Sequence, residues 1–332
     1  MAGVKALRIL QLGKETTKGT NVDATVIWRG LGVIKDQQEV VFPEENVGYL
    51  GGVSRSYISR YWAELAMPDV EATFEQLPYL FEAGVATEVP TVDGTGSTGY
   101  IYKYVAPTTE QETVTTYSFE GGDDNQAEEF DYGFVKKLVL SGDGQGAMFM
   151  SADWVGQTVS NTTFKTGLSP VAVEEILMNS GVLYIDSTGG TIGETTVSDT
   201  LFGINLSWTT GLQEYWALDG SKDFSLVKQT GDEIILAMTF EHNAAAVLQK
   251  AEYRENITRL VRLKFEGTAL ETSSDYANKA LIIDLAGVYE DWSVLDERDG
   301  NDVVEATMRV RYSVADALKA EVIIVNAASS LP

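Results

Sequence analysis

Apolar and polar residues along this chain alternate with a period of two in stretch after stretch, which predicts β-strands; a helical period appears only twice. The segment 57–66 places Tyr57, Ser59, Tyr61, Ala63 and Leu65 on one face of a strand. Ahead of it, 25–34 and 38–42 are rich in β formers and flank the polar turn Lys35-Asp36-Gln37, with Pro43-Glu44-Glu45-Asn46 as a further turn. A helix is predicted from Thr73. Thr73 and Gln76 have capping-box spacing, Phe74, Leu77, Leu80 and Phe81 form an apolar stripe, and Gly84 can end it. Pro78 falls one turn inside and predicts a short or kinked helix, because it removes a backbone donor. Further strands are expected at 100–105, 113–119, 130–140 and 147–154, the last two joined by the hairpin sequence SGDGQG at 141–146.

The second half repeats this order. Strands are expected at 201–208 and 214–218, around Thr209-Thr210-Gly211, and then at 233–240. Asn243 caps a helix over 244–256, and strands follow at 260–265, 280–286, 303–312 and 321–325. In this alignment 28–48 lies opposite 202–220, and the helix after Thr73 opposite the helix after Asn243. The expected fold is mainly β: a β-sandwich or barrel-like unit with a flanking helix, duplicated in tandem. Domain 1 covers 1–165 and domain 2 covers 166–332, divided in the polar segment 160–170.

A length of 332 residues suits two domains, each large enough to bury a core. The 44% hydrophobic and 10% aromatic fractions place the chain among folded proteins rather than disordered ones. Net charge is −25, and the acid excess covers both halves: residues 1–166 hold 12 bases and 23 acids, the remainder 12 and 26. This balance argues against wrapping on nucleic-acid phosphates, and it does not exclude a surface that nucleic acid must pass without sticking. The absence of cysteine removes disulfides, thiolate metal sites and cysteine nucleophiles together. Lys5 and Arg8 precede no long apolar core, so no signal peptide is expected. No run reaches the roughly 18 apolar residues of a membrane span. The expectation is a soluble protein made in a cytoplasm.

Candidate chemistry is sparse. His242 is the single histidine and sits beside a helix cap, where a structural role is the expectation. Every Ser-His or histidine-metal arrangement would depend on it alone. Carboxylate pairs are too numerous for spacing to select a glycosidase pair, and Gly13-Lys14 lacks the frame of a phosphate-binding loop. The runs EGGDDNQAEE at 120–129 and DERDGND at 296–302 offer hard oxygen ligands to calcium, but neither has EF-hand spacing. They read as solvated loops, and a calorimetric titration with calcium tests this. No catalytic, cofactor-binding or metal-ligating residue is assigned. Trp28, Trp62, Trp154, Trp208, Trp216 and Trp292 mostly fall in strand patterns, so core packing is expected for most and interface anchoring for some.

Several runs then carry a resemblance: GLGVIKDQQEVVFPEENVG at 30–48, FEGGDD at 119–124, SADW at 151–154, RLKFEG at 262–267 and LIIDLAG at 281–287. In number and order they resemble the major tail tube proteins of long-tailed, non-contractile phages (siphophages), and the resemblance extends over nearly the whole chain. It implies a non-enzymatic virion protein in the tail, assembled as stacked rings around a central channel through which DNA is ejected. A fused two-domain subunit would reach a pseudo-hexameric ring as a trimer; a one-domain arrangement would need a hexamer. The implied partners are further copies of the chain, a tape-measure protein and a tail-tip or terminator protein, with no membrane and no specific DNA contact. Carboxylates lining the lumen would repel duplex phosphates. The competing expectations are a phage-borne carbohydrate-binding module and a carboxylate-dependent hydrolase. A capsid decoration protein or secretion-system tube subunit would be a related assembly role.

Overall fold

A computed structural model describes residues 4–52, 54–272 and 274–332. The first half forms β1 (Ile9–Lys14), β2 (Val26–Ile27), β3 (Val33–Val41), β4 (Tyr57–Glu71), α1 (Leu77–Gly84), β5 (Thr91–Val92), β6 (Tyr100–Val105), β7 (Tyr117–Gly122), β8 (Ala127–Asp143), β9 (Phe149–Gly156) and β10 (Ser160–Thr162). The second forms β11 (Gly181–Ser187), β12 (Leu201–Thr209), β13 (Leu212–Tyr215), β14 (Leu226–Gln229), β15 (Glu233–Glu241), α2 (Ala244–Glu255), β16 (Arg259–Ala269), β17 (Asn278–Trp292), β18 (Asp296–Arg298), β19 (Asn301–Val310) and β20 (Ala320–Asn326). The protein is mainly β, as its period-two patterning predicts.

Eight strands run antiparallel in the order β3–β4–β9–β8–β12–β15–β19–β17. Alternate positions on one face are apolar and buried. Leu65 faces Trp154, Leu206 faces both Leu140 and Leu236, and Leu236 faces Met308. Two further strand groups cover this face. One is β1–β7–β8–β10, built on the first part of β8; the other is β11–β16–β17–β20–β6–β5, built on the first part of β17. β8 and β17 are long because each starts in one layer and ends in the other. Between the layers Trp154 of β9 meets Phe119 and Tyr117 of β7 edge-on, with ring centroids 4.8 and 6.0 Å apart. In the second half Trp292 packs against Tyr289 at 5.6 Å and Phe240 at 6.2 Å. Pairs of this kind add about 0.5–1.5 kcal/mol beyond the area they bury.

The two helices differ in burial. At α1 the Gln76 amide donates to Thr73 Oγ1 at 3.1 Å, but the helix itself begins at Leu77. Pro78 therefore occupies the first turn, where no backbone donor is required, and it starts the helix instead of kinking it. All eight residues of α1 are buried. At α2 the Asn243 side-chain Oδ1 accepts from the amides of Ala245 and Ala246 at 3.0 and 3.1 Å, and Asn256 closes the helix with φ of 52°. Only Ala246 and Gln249 of α2 are buried.

Two expectations are corrected. Lys35-Asp36-Gln37 is not a turn but the middle of β3, and the strand expected at 25–34 is present only as β2 and the first two residues of β3. β3 is an edge strand with exposed or half-exposed residues throughout, so no buried face imposes alternation on it.

Candidate assembly surface

The expected division at 160–170 is crossed by strand pairing. β8 and β12 pair from Thr209 opposite Lys137 to Gly203 opposite Asp143, so one sheet runs through both halves. α1 covers this seam: Phe81 packs edge-on to Trp208 of β12 at 5.9 Å. Beyond β12, Thr210 donates its hydroxyl to the Val135 carbonyl at 2.8 Å, and Lys136 pairs with Glu214 at 2.8 Å. A second junction pairs β6 with β20. Beside it the Asp93 carboxylate accepts from the amides of Ser274, Asp275 and Tyr276. Burial works to raise the Asp93 pKa, yet these three donors hold it below the ordinary value. A third junction docks the segment between β12 and β15 on the first half, where Phe224 meets Tyr132 at 5.0 Å and Phe134 at 6.0 Å. Arg60 lies 4.6 Å above the Trp216 ring, so one tryptophan outside the main core anchors a contact between the halves.

Six pairings of the first half, β1·β7, β7·β8, β8·β10, β8·β9, β9·β4 and β4·β3, have counterparts in the second. These are β11·β16, β16·β17, β17·β20, β17·β19, β19·β15 and β15·β12. The irregularities coincide too: Lys136 is the extra residue in β8·β9 and Glu290 the extra residue in β17·β19. Leu65 faces Ile34 and Trp154, whereas Leu236 faces Leu206 and Met308, so Ile34 corresponds to Leu206. The correspondence breaks in one respect. β12 has β8 on its outer side, but among the described residues β3 pairs with β4 alone. β17 after Gly287, and β18 after it, likewise pair only with β19. Apolar side chains lie open along these two edges: Val33 is 57% exposed, Val294 85% and Leu295 53%. The connection between β3 and β4 also exposes Phe42, Tyr49 and Leu50.

The face of the eight-stranded sheet opposite the core carries Lys35, Glu64, Lys137, Asp153, Ser207, Ala237, Thr307 and Arg309, by alternation from the buried positions. Its bases stand beside acids. Lys35 reaches Glu64 at 3.3 Å, Lys137 is directly opposite Asp153, and Arg309 pairs with Glu233 and, at 2.5 Å, with Glu290.

The remaining candidate groups are accounted for locally. His242, half-buried, donates its backbone amide to the Asp302 carbonyl at the foot of α2. Within 120–129 the Asp123 carboxylate accepts from the amides of Asn125 and Gln126, forming an Asx-type turn, and Glu120 accepts from the amides of Ala24 and Lys165. Within 296–302 Glu297 accepts from the Gly300 amide and Arg298 reaches Asp143. No three His, Asp or Glu side chains among the described residues come together in a metal-holding group. Trp28, Trp154, Trp208 and Trp292 are buried. Sequence reasoning missed Glu82, a fully buried acid on α1. Lys14 reaches it at 2.5 Å, Thr115 donates at 3.0 Å and Tyr117 at 2.8 Å. Burial, reinforced by the Glu82 charge, pushes the Tyr117 phenol well up. Three donors and complete burial make Glu82 a structural tie between α1, β1 and β7, closed to any substrate. No family model matches the chain, and no curated protein matches it.

Proposed function

We propose that this chain is the subunit of a phage tail tube, a non-enzymatic virion protein that closes into rings and stacks into a channel for DNA. The reading rests on one observation: a single antiparallel sheet passes through two halves with matching pairing order and stops at two edges that, among the described residues, are unpaired. On this reading the halves are two copies of one unit, and three chains make a pseudo-sixfold ring. Heterologous contacts between successive copies close a ring when their rotation closes. Strand pairing around the ring removes the exposed edges that a soluble sheet otherwise has to protect.

The sheet face opposite the core becomes the channel wall. Its lysines and arginine are matched by carboxylates, so a passing duplex meets no uncompensated cation on which to release counterions. The exposed apolar residues at the β3–β4 tip are placed to engage an adjacent ring. Negative-stain electron microscopy of the concentrated protein tests the proposal. Rings or hollow tubes are expected, with threefold averages showing six similar lobes. A sixfold ring of six chains would refute the fused arrangement, and copurification with carbohydrate rather than with virions would favour a binding module.

A further inference from the structure

We infer that successive copies of the chain join through the edge of β3 on one copy and the edge of β17–β18 on the next, in the register of the β8·β12 seam. The inference rests on the ring-forming reading and adds to it which edges meet and which residues oppose one another.

The chain already contains the model for this joint. β12 corresponds to β3, and the end of β8 to the end of β17, as the matched pairings and coincident bulges require. In the internal seam Leu206 faces Leu140, Ser207 faces Val139 and Asn205 faces Ser141. Counting from the shared bulge, Val139 corresponds to Ser293 and Leu140 to Val294; Leu295 is then an extra residue, because Trp292 faces Ala306 whereas Asp296 faces Val303. The transferred register sets Lys35 of one copy against Ser293 of the next and Ile34 against Val294. The half-exposed Ile34 of one edge thereby falls opposite the exposed Val294 of the other, with Val33 and Leu295 open beside them. The helices repeat the same contrast. α1, beside the internal seam, is wholly buried, whereas α2 leaves Val247 and Leu248 51% and 67% exposed, as expected of a helix whose covering neighbour is another molecule.

The absence of cysteine makes the test clean. The two edges lie at opposite ends of eight strands, about 33 Å apart along the sheet at the usual interstrand spacing, so a bridge between them must join two molecules. Chains carrying Lys35→Cys with Ser293→Cys, and others with Ile34→Cys with Val294→Cys, are concentrated and oxidised. One of the two pairs is of the closer, non-hydrogen-bonded kind that a disulfide fits. The expected result is a ladder of covalent dimers and trimers from one in-register pair. A control pairing Lys35→Cys with Val294→Cys, whose side chains point to opposite faces, should give none. Val294→Lys, at an exposed position, should leave the monomer folded by circular dichroism and abolish rings. Rings in the microscope without an in-register crosslink would overturn the joint while leaving the ring reading intact. A chain that stays monomeric and yields no crosslink would also overturn the joint; copurification with virions then decides the tail reading separately.

Discussion

At the scale of single residues, the buried acids carry the sharpest predictions. Glu82→Ala leaves Lys14, Thr115 and Tyr117 without their acceptor and is expected to cost about 2–4 kcal/mol, discounted because Lys14 is partly solvated. Chemical denaturation measures it, and a loss below 1 kcal/mol would show that water replaces the carboxylate. Asp131 behaves differently. Burial, with the charges of Glu15, Asp223 and Glu129 around it, pushes its carboxyl up to about 6. The unfolded carboxyl titrates near 3.9, so between about pH 4 and 6 the folded state binds more protons than the unfolded one. That contribution to stability is present at low pH and lost as pH rises through 6. Asp131→Asn should therefore raise the melting temperature at pH 7.5 and flatten its dependence between pH 4 and 6; an unchanged profile would refute the assignment. Trp154 was legible as core from its strand pattern, because a large ring at an alternating position has few other places to go. Glu82 was not legible: an acid in a short helix reads as a solvent-facing position until β1 and β7 bring donors to it.

Elements were read well where a local signal and tertiary packing agree. α2 begins at the Asn243 cap and ends at Asn256 as its sequence predicts, and Asn243→Ala should cost about 1 kcal/mol. Failure to lose any stability would mean that the helix is held by its neighbours rather than its cap. β6 and β12 likewise lie where alternation places them. The misreadings have specific causes. β3 is an edge wet on both faces, so its polar centre looks like a turn. β1 is buried from Leu10 to Gly13 and shows no alternation by which to recognise it. β8 and β17 run longer than their apolar cores because each changes layer, and a strand that does so exchanges its buried face part-way.

At the scale of the molecule, charge placement gives a test independent of assembly state. Glu64→Lys together with Asp153→Lys uncovers cations on the sheet face opposite the core. Duplex DNA binding should appear at low salt and weaken as salt rises, by about 0.9 in log–log slope per phosphate neutralised. On the proposed tail-tube reading, phage carrying the pair should eject more slowly. Binding no stronger than that of the unaltered protein would argue against this face as the proposed channel wall.

The sequence by itself determined the class of structure, the acidic character of both halves, one helix with its cap and the order of most strands. These follow from local periodicity, turn chemistry and composition, which act within a few residues. Only the tertiary structure decided that the halves share a sheet, that β8 meets β12 while β3, among the described residues, pairs with β4 alone, and that α1 is buried where α2 is exposed. Backbone donors and acceptors pair without regard to side-chain identity, so the choice of neighbour across a sheet edge leaves no local mark in the sequence.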